Sequence, residues 1–312
     1  MREHGQKDWV QMKKKLENMK KAVEMELREH KSSFIVYCVL RLLVILAMIL
    51  QIFNKNYENV FLCILTLVLL MLPSFIQVNL KIELPTGLEI IILLFIFAAE
   101  ILGEISAYYV KYPGWDTILH TINGFLMAAI GFSMVDILNR HKNVNFDLSP
   151  AFMAVVAFCF SMTIGVIWEF FECAMDQLFG FDMQKDTIVH SISSVMLDPT
   201  HANTVVRIED IESVVVNGQD LGLDGYLDIG LLDTMKDLFV NFIGAVVFSV
   251  IGFFYVKSRG EGRIARRFIP RLKDEDRDYL QKVMDEQAEE EKNEKMKQES
   301  QQAKEQEECT KY

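Results

Sequence analysis

The chain has 312 residues, 51% of them hydrophobic, and a formal net charge of −11 at pH 7. That length suits one large soluble domain, but the apolar residues are gathered into near-continuous stretches, which excludes it. The acidic excess lies mostly in the C-terminal tail and in residues 177–233, so it identifies no charged partner, and nucleic acid is not expected to bind.

In chain order, residues 1–33 form a charged lead-in. Trp9, Met12, Leu16, Met19, Val23 and Leu27 recur there at helical spacing. The Lys-rich flank suits an anionic membrane leaflet, and a solvated helix reads equally well from the same pattern. Apolar stretches follow at 34–53, 59–78, 86–109, 116–138, 150–173 and 235–256. Each meets the roughly 20 residues an α-helix needs to cross a hydrocarbon core. The first lies too far in, behind a polar segment, for a signal peptide. The expected fold class is all-α: a polytopic membrane helical bundle of six transmembrane helices spanning 34–256, with an outer loop at 177–233.

Lys and Arg near the span ends set the orientation. Lys13, Lys14, Lys15, Lys20, Lys21, Arg28 and Lys31 precede the first span. Lys257, Arg259, Arg263, Arg266, Arg267, Arg271 and Lys273 follow the last, and Lys81 with Arg140/Lys142 falls on the same side. The other side carries Lys55, Lys111, Lys185, Arg207 and Lys236 over a longer length. Both termini are therefore expected in the cytoplasm.

Within 177–233, Thr204–Ile208 and Ser213–Val216 have strand character, and Asn217-Gly218 is a hairpin turn signal. Ten acids against two bases make this small, hairpin-containing loop a lid over the outer span ends. The 257–312 segment is basic at first and then a Glu/Lys/Gln-rich tail, read as disordered or as a solvent-exposed helix. Cys38, Cys63, Cys159, Cys173 and Cys309 have neither metal nor redox spacing and are assigned no chemistry.

Four spans carry ionisable residues, each costly in a membrane and a functional-site hypothesis by default. They are Glu100 and Glu104; Asp116 and His120; Glu169 and Glu172; and Asp233, Asp237 and Asn241. Alternating span direction brings all of them to the outer third, in a layer on the order of 10 Å deep. No base is expected to reach them, since Arg41 lies in the inner half of its span and Lys111 and Lys236 lie at the rim. Protonation, a water-filled cavity or a bound cation would each relieve the charge. Inward-facing carboxylates with an imidazole are how helical bundles hold divalent metals, so Asp116, His120, Glu169, Glu172 and Asp237 are the candidate metal ligands. The set does not select among Mg, Mn, Zn and Fe. His120, Glu169, Glu172 and Asp237 are also the candidate catalytic groups, with Asn241, Glu100 and Glu104 beside them. Gly103, Gly124, Gly131, Gly165 and Gly244 lie within spans, where close helix packing is their expected role.

The order Trp115-Asp116-x-x-x-His120-x-x-x-Gly124, Trp168-Glu169-x-x-Glu172 and Asp233-x-x-x-Asp237-x-x-x-Asn241-x-x-Gly244 resembles the YjdF-like bacterial inner-membrane proteins. More distantly, it is similar to the VanZ-like superfamily. The resemblance covers about 34–256. It implies a multi-pass protein of the bacterial cytoplasmic membrane in a cell-envelope context, with no settled reaction, and it maps onto Asp116, His120, Glu169, Glu172, Asp237 and Asn241. Glu172 stands where VanZ-like chains often have Gln. Three functions stay open: an intramembrane enzyme or binding protein for a lipid or lipid-linked envelope molecule, a structural or assembly protein, and an ion-coupled transporter.

Overall fold

The computed structural model describes residues 2–29, 31–140, 148–258, 265–273 and 277–309. The expectations for Lys142, Arg259 and Arg263 lie outside them. The helices, in chain order, are α1 (Arg2–Glu29), α2 (Lys31–Phe53), α3 (Tyr57–Leu69), α4 (Leu72–Leu80), α5 (Thr86–Phe97), α6 (Tyr108–Lys111), α7 (Trp115–Arg140), α8 (Pro150–Phe179), α9 (Leu231–Lys257) and α10 (Tyr279–Cys309). The strands are β1 (Ile82–Glu83), β2 (Ile188–Val189), β3 (Ile192–Ser194), β4 (Val206–Ile208), β5 (Val215–Val216), β6 (Gln219–Asp220), β7 (Tyr226–Leu227) and β8 (Arg271–Leu272).

Five helices are long and apolar enough to cross a membrane: Lys31–Phe53, Tyr57–Asn79, Trp115–Asn139, Pro150–Phe179 and Leu231–Lys257. The second is α3 running into α4, interrupted at Leu70–Met71 just before Pro73. Pro73 has no amide hydrogen and is tolerated only in a first helical turn. The remaining predicted stretch, 86–109, is built in two parts. Twelve-residue α5 continues into an eight-residue π-helix, Ala98–Ile105, which carries Glu100 and Glu104. It ends at Ile105, and the turn that follows holds Ala107 at a φ of 57°. Of the six expected spans, five are thus helices of crossing length and one is a composite element.

The chain divides into two compact units, residues 1–111, 136–147 and 255–312 in one and 112–135 with 148–254 in the other. In the first unit, Tyr37, Leu40 and Val44 of α2 pack with Cys63, Leu93, Ile96 and Ile101. Ala22 and Val23 of α1 pack with Val78 of α4 and with Tyr279 and Leu280 of α10. The tail is therefore a helix whose first turns are packed, because Tyr279, Leu280 and Val283 give it a short apolar stripe. Lys273 meets Glu26 in a buried ion pair, Lys81 lies 2.6 Å from Asp278, and β1 pairs with β8 in antiparallel register.

In the second unit, α8 starts at Ser149, whose hydroxyl accepts from the Phe152 amide at 3.2 Å, and stops at left-handed Gly180. The 181–230 loop is a set of two-residue and three-residue ladders. β5 and β6 form the expected hairpin, with Asn217 and Gly218 at φ of 53° and 83°. Both values are positive, as a tight two-residue turn between twisted strands needs. Val206–Ile208 pairs with Ile192–Ser194, a strand the sequence pattern left unassigned.

Acidic side chains hold this loop. Asp176 accepts from the amides of Met183 (2.6 Å) and Gln184 (2.8 Å), and Asp228 accepts from Thr187 and Leu232, both at 2.7 Å. Asp198 accepts from the Thr200 hydroxyl and from the amides of Thr200, Ala202 and Thr204, and these bonds hold its carboxyl down at about 2.

Candidate functional site

Three helices of the second unit supply the polar groups. On α7, Asp116 and His120 stand one turn apart. On α8, Glu169 and Glu172 are spaced i,i+3. On α9, Asp233, Asp237 and Asn241 repeat every four residues. Each set therefore shares a helix face.

Glycines let these faces meet. A Cβ at Gly124 would lie 2.1 Å from the carbonyl oxygen of Asn241, and one at Gly244 would lie 2.1 Å from that of Thr121. The α7 and α9 backbones thus touch at two reciprocal points, the close approach that small residues permit between membrane helices. A Cβ at Gly165 would lie 2.7 Å from the Asn241 amide nitrogen, which brings α8 against the same residue. Asn241, 1% exposed, accepts from Asn123 Nδ2 at 3.3 Å and donates to the Ser161 carbonyl at 3.5 Å. It ties the three helices together below the acidic cluster.

His120 sits at the centre. Its Nε2 lies 3.4 Å from Asp116 Oδ1 and 3.9 Å from Asp237 Oδ2, while Nδ1 lies 3.8 Å from Glu169 Oε1. Donor atoms of Asp116, His120 and Asp237 lie within 4.8 Å of one another, as do those of His120, Glu169 and Glu172. One imidazole thus faces two carboxylate pairs. Glu172 is oriented by Trp168, whose indole N–H donates to it at 2.9 Å. Glu169 and Asp237 are 4% and 1% exposed, yet Glu169 Oε2 and Asp237 Oδ1 have no hydrogen-bond partner among the described residues. Buried polar atoms in native proteins are nearly always bonded; Asp116 Oδ2 is a third such atom, but it and Asp237 Oδ1 lie 3.8 and 3.7 Å from Lys236 Nζ, which leaves Glu169 Oε2 as the one of the three with neither a hydrogen bond nor an ammonium beside it among the described residues.

One expectation is overturned. Lys236 reaches the acids from the rim, with Nζ 3.0 Å from Asp233, 3.7 Å from Asp237 and 3.8 Å from Asp116. A four-carbon stem lets a half-exposed lysine lay its ammonium over a buried neighbour, a reach that residue depth does not convey. Asp233 also accepts from the Lys185 amide at 2.9 Å, which joins the 181–230 loop to the edge of the site. Glu100 and Glu104 belong to the π-helix of the first unit, where Glu104 is exposed, and neither enters the two ligand groups. The sequence marks Trp168 only as a motif residue and does not single out Asn123. Their signal was the i,i+4 spacing of Trp168 to Glu172 and the position of Asn123 three residues after His120.

Beyond Asn241 along α9 the packing turns aromatic. Phe248 meets Phe125 edge-on at 5.1 Å and Phe132 at 6.0 Å, beside fully buried Ala128, Ala129 and Ala245.

No curated protein and no solved structure matches the chain. A family model described as "Predicted membrane protein (DUF2238)" matches residues 36–258, which include all three site helices and the 181–230 loop. The match takes in well over half of the chain, so the protein belongs to this predicted membrane protein family, DUF2238.

Proposed function

We propose that the protein holds one divalent cation between His120, Glu169 and Glu172, at a one-ended intramembrane site that works on a molecule held in the membrane. The observation that carries this reading is the buried Glu169 carboxylate, whose Oε1 lies 3.8 Å from His120 Nδ1 and whose Oε2 has no hydrogen-bond partner among the described residues. A network that only set helix packing would be expected to satisfy its own members.

The charge distribution selects the Glu side. Lys236 lies against Asp116, Asp233 and Asp237, whereas Glu169 and Glu172 have only His120 within ion-pair reach among the described residues. Asp116 and Asp237 then hold Nε2–H of His120 and leave the Nδ1 lone pair for the cation, as outer carboxylates do for metal-bound histidines. An ion needs donors at about 2.0–2.2 Å, so donor atoms now within 4.8 Å would close by under about 1 Å. Such a cation would polarise a phosphate or carbonyl oxygen of a lipid or lipid-linked substrate. The aromatic packing of Phe125, Phe132 and Phe248 favours this over passage of an ion through the unit. A bacterial inner membrane, a YjdF-like identity, six crossings and cytoplasmic termini belong to the same proposal, on the motif order and the Lys/Arg asymmetry.

The test is elemental analysis and thermal melting of detergent-purified protein after loading with Mn, Zn or Mg. One equivalent is expected in wild type and in Glu104→Gln, and none in the His120→Ala/Glu169→Ala double variant. Glu169→Gln is expected to fold and insert but to lose the cation. A Glu169→Gln protein that melts higher with unchanged metal content would make the cluster structural.

A further inference from the structure

Helix α1 covers only half of its apolar stripe. Val23 and Ala22 are buried against α4 and α10, but Trp9, Met12 and Leu16, at i, i+3 and i+7 on the same side, are 57%, 57% and 60% exposed. Three large apolar side chains in one row on an otherwise charged helix form a face with no partner among the described residues.

The surroundings of that row are basic. Over residues 12–24 the sequence has Lys13, Lys14, Lys15, Lys20 and Lys21 against Glu17 and Glu24. Lys13, Lys15, Lys20 and Lys21 are exposed, and the Lys13 ammonium lies 5.7 Å from the Trp9 ring centroid. Lys13 and Lys20 follow Trp9 and Leu16 by four residues and Lys15 follows Met12 by three, so ammonium groups border the apolar row.

Its place along the chain puts this face at the level of lipid headgroups. α1 packs on α4, the last part of the crossing-length element Tyr57–Asn79, and Asn79 Nδ2 lies 3.9 Å from Met19 Sδ. The next crossing-length helix begins at Lys31, directly after α1. A helix held at the ends of two spans, with apolar residues in a row and lysines beside them, has the composition of an interfacial anchor.

We propose that the N-terminal half of α1 is an anchor for an anionic lipid surface, with Trp9, Met12 and Leu16 in the upper acyl region and Lys13, Lys15 and Lys20 on acidic headgroups. The stripe is already used for packing at residues 22–23, so the same face serves protein at one end and lipid at the other. This site is independent of the His120 cluster.

The full chain in nanodiscs tests it. Wild type minus Trp9→Phe isolates the Trp9 emission, since Trp115 and Trp168 are common to both. With acyl-brominated lipid, Trp9 is expected to be quenched at least about twofold more in phosphatidylglycerol-containing discs than in purely zwitterionic ones, and the excess should vanish near 1 M salt, where charge is screened within about 3 Å. Changing Lys13, Lys15 and Lys20 to Gln should remove the same excess. Met12→Glu/Leu16→Glu should abolish quenching without shifting the melting temperature, because both side chains are exposed. A Trp9 emission that bromolipid leaves untouched and acrylamide quenches freely overturns the proposal. Equal quenching in both disc types overturns the anionic preference. Shielding from both quenchers only when a disc holds two chains would assign the face to a second copy instead.

Discussion

The reciprocal glycine contact between α7 and α9 makes a prediction whose sign is informative. In Gly124→Ala the new methyl would lie 2.1 Å from the Asn241 carbonyl oxygen, 2.9 Å from its carbon and 3.0 Å from its Cα. All three obstacles are backbone, so no rotamer change relieves them. Carbon atoms rest at roughly 3.5–4.0 Å, and the two helices would have to part by about 1 Å. Alanine is favoured over glycine in an unhindered helix interior by about 1 kcal/mol, so a site with open space would be stabilised. Overpacking of this kind costs typically about 1–3 kcal/mol, and a net loss of about 1–2 kcal/mol is expected instead. The gap from His120 Nε2 to Asp237 Oδ2, 3.9 Å at present, widens with the helices, and the cation is expected to bind about tenfold more weakly, equivalent to about 1.4 kcal/mol. Unfolding in mixed micelles by added dodecyl sulfate, followed by tryptophan fluorescence, gives the stability. Gly244→Ala should behave alike, and the double variant should lose less than the sum, because helices already parted have room for the second methyl. A Gly124→Ala protein more stable than wild type would refute the close approach and the site geometry built on it.

Three further outcomes follow from other contacts. Lys236→Met removes the ammonium at 3.0–3.8 Å from Asp233, Asp237 and Asp116; because Lys236 is half exposed, about 1 kcal/mol of stability should be lost rather than the several of a fully buried pair. Added divalent cation should restore more melting temperature in that variant than in wild type, and an unchanged melt without cation would contradict the ion-pair geometry. Asp198, held at about 2 by the Thr200 hydroxyl and by the amides of Thr200, Thr204 and Ala202, stabilises its turn above its ordinary value of 3.8 and loses that contribution as pH falls through about 2. Amide exchange at 200–204, corrected for intrinsic rates, should show protection at pH 5 that declines towards pH 2, and Asp198→Asn should lack it throughout; equal protection in the two proteins would count against the turn. A cysteine at position 210 should react with an impermeant maleimide from outside intact cells, and labelling from the cytoplasmic side alone would reverse the orientation and the shared depth of the acids.

Helix positions and shared faces were legible in the sequence because both are local properties. Apolar length marked 34–53, 150–173 and 235–256, the i,i+4 rule placed Asp116 with His120 and Asp237 with Asn241 on single faces, and Asn217-Gly218 announced its turn through the positive φ it permits. Tertiary structure alone decided which faces meet. Lipid and neighbouring helices are equally apolar, so hydropathy does not distinguish a lipid-facing side from a packed one. The pairing of Gly124 with Asn241 and of Gly244 with Thr121 therefore became visible only as distances. Glu100 and Glu104 were grouped with the site by depth, and depth names no neighbour; they fall in the other compact unit. Lys236 was read as a rim residue because a sequence gives the position of a Cα and not the reach of a flexible side chain, which here spans three carboxylates.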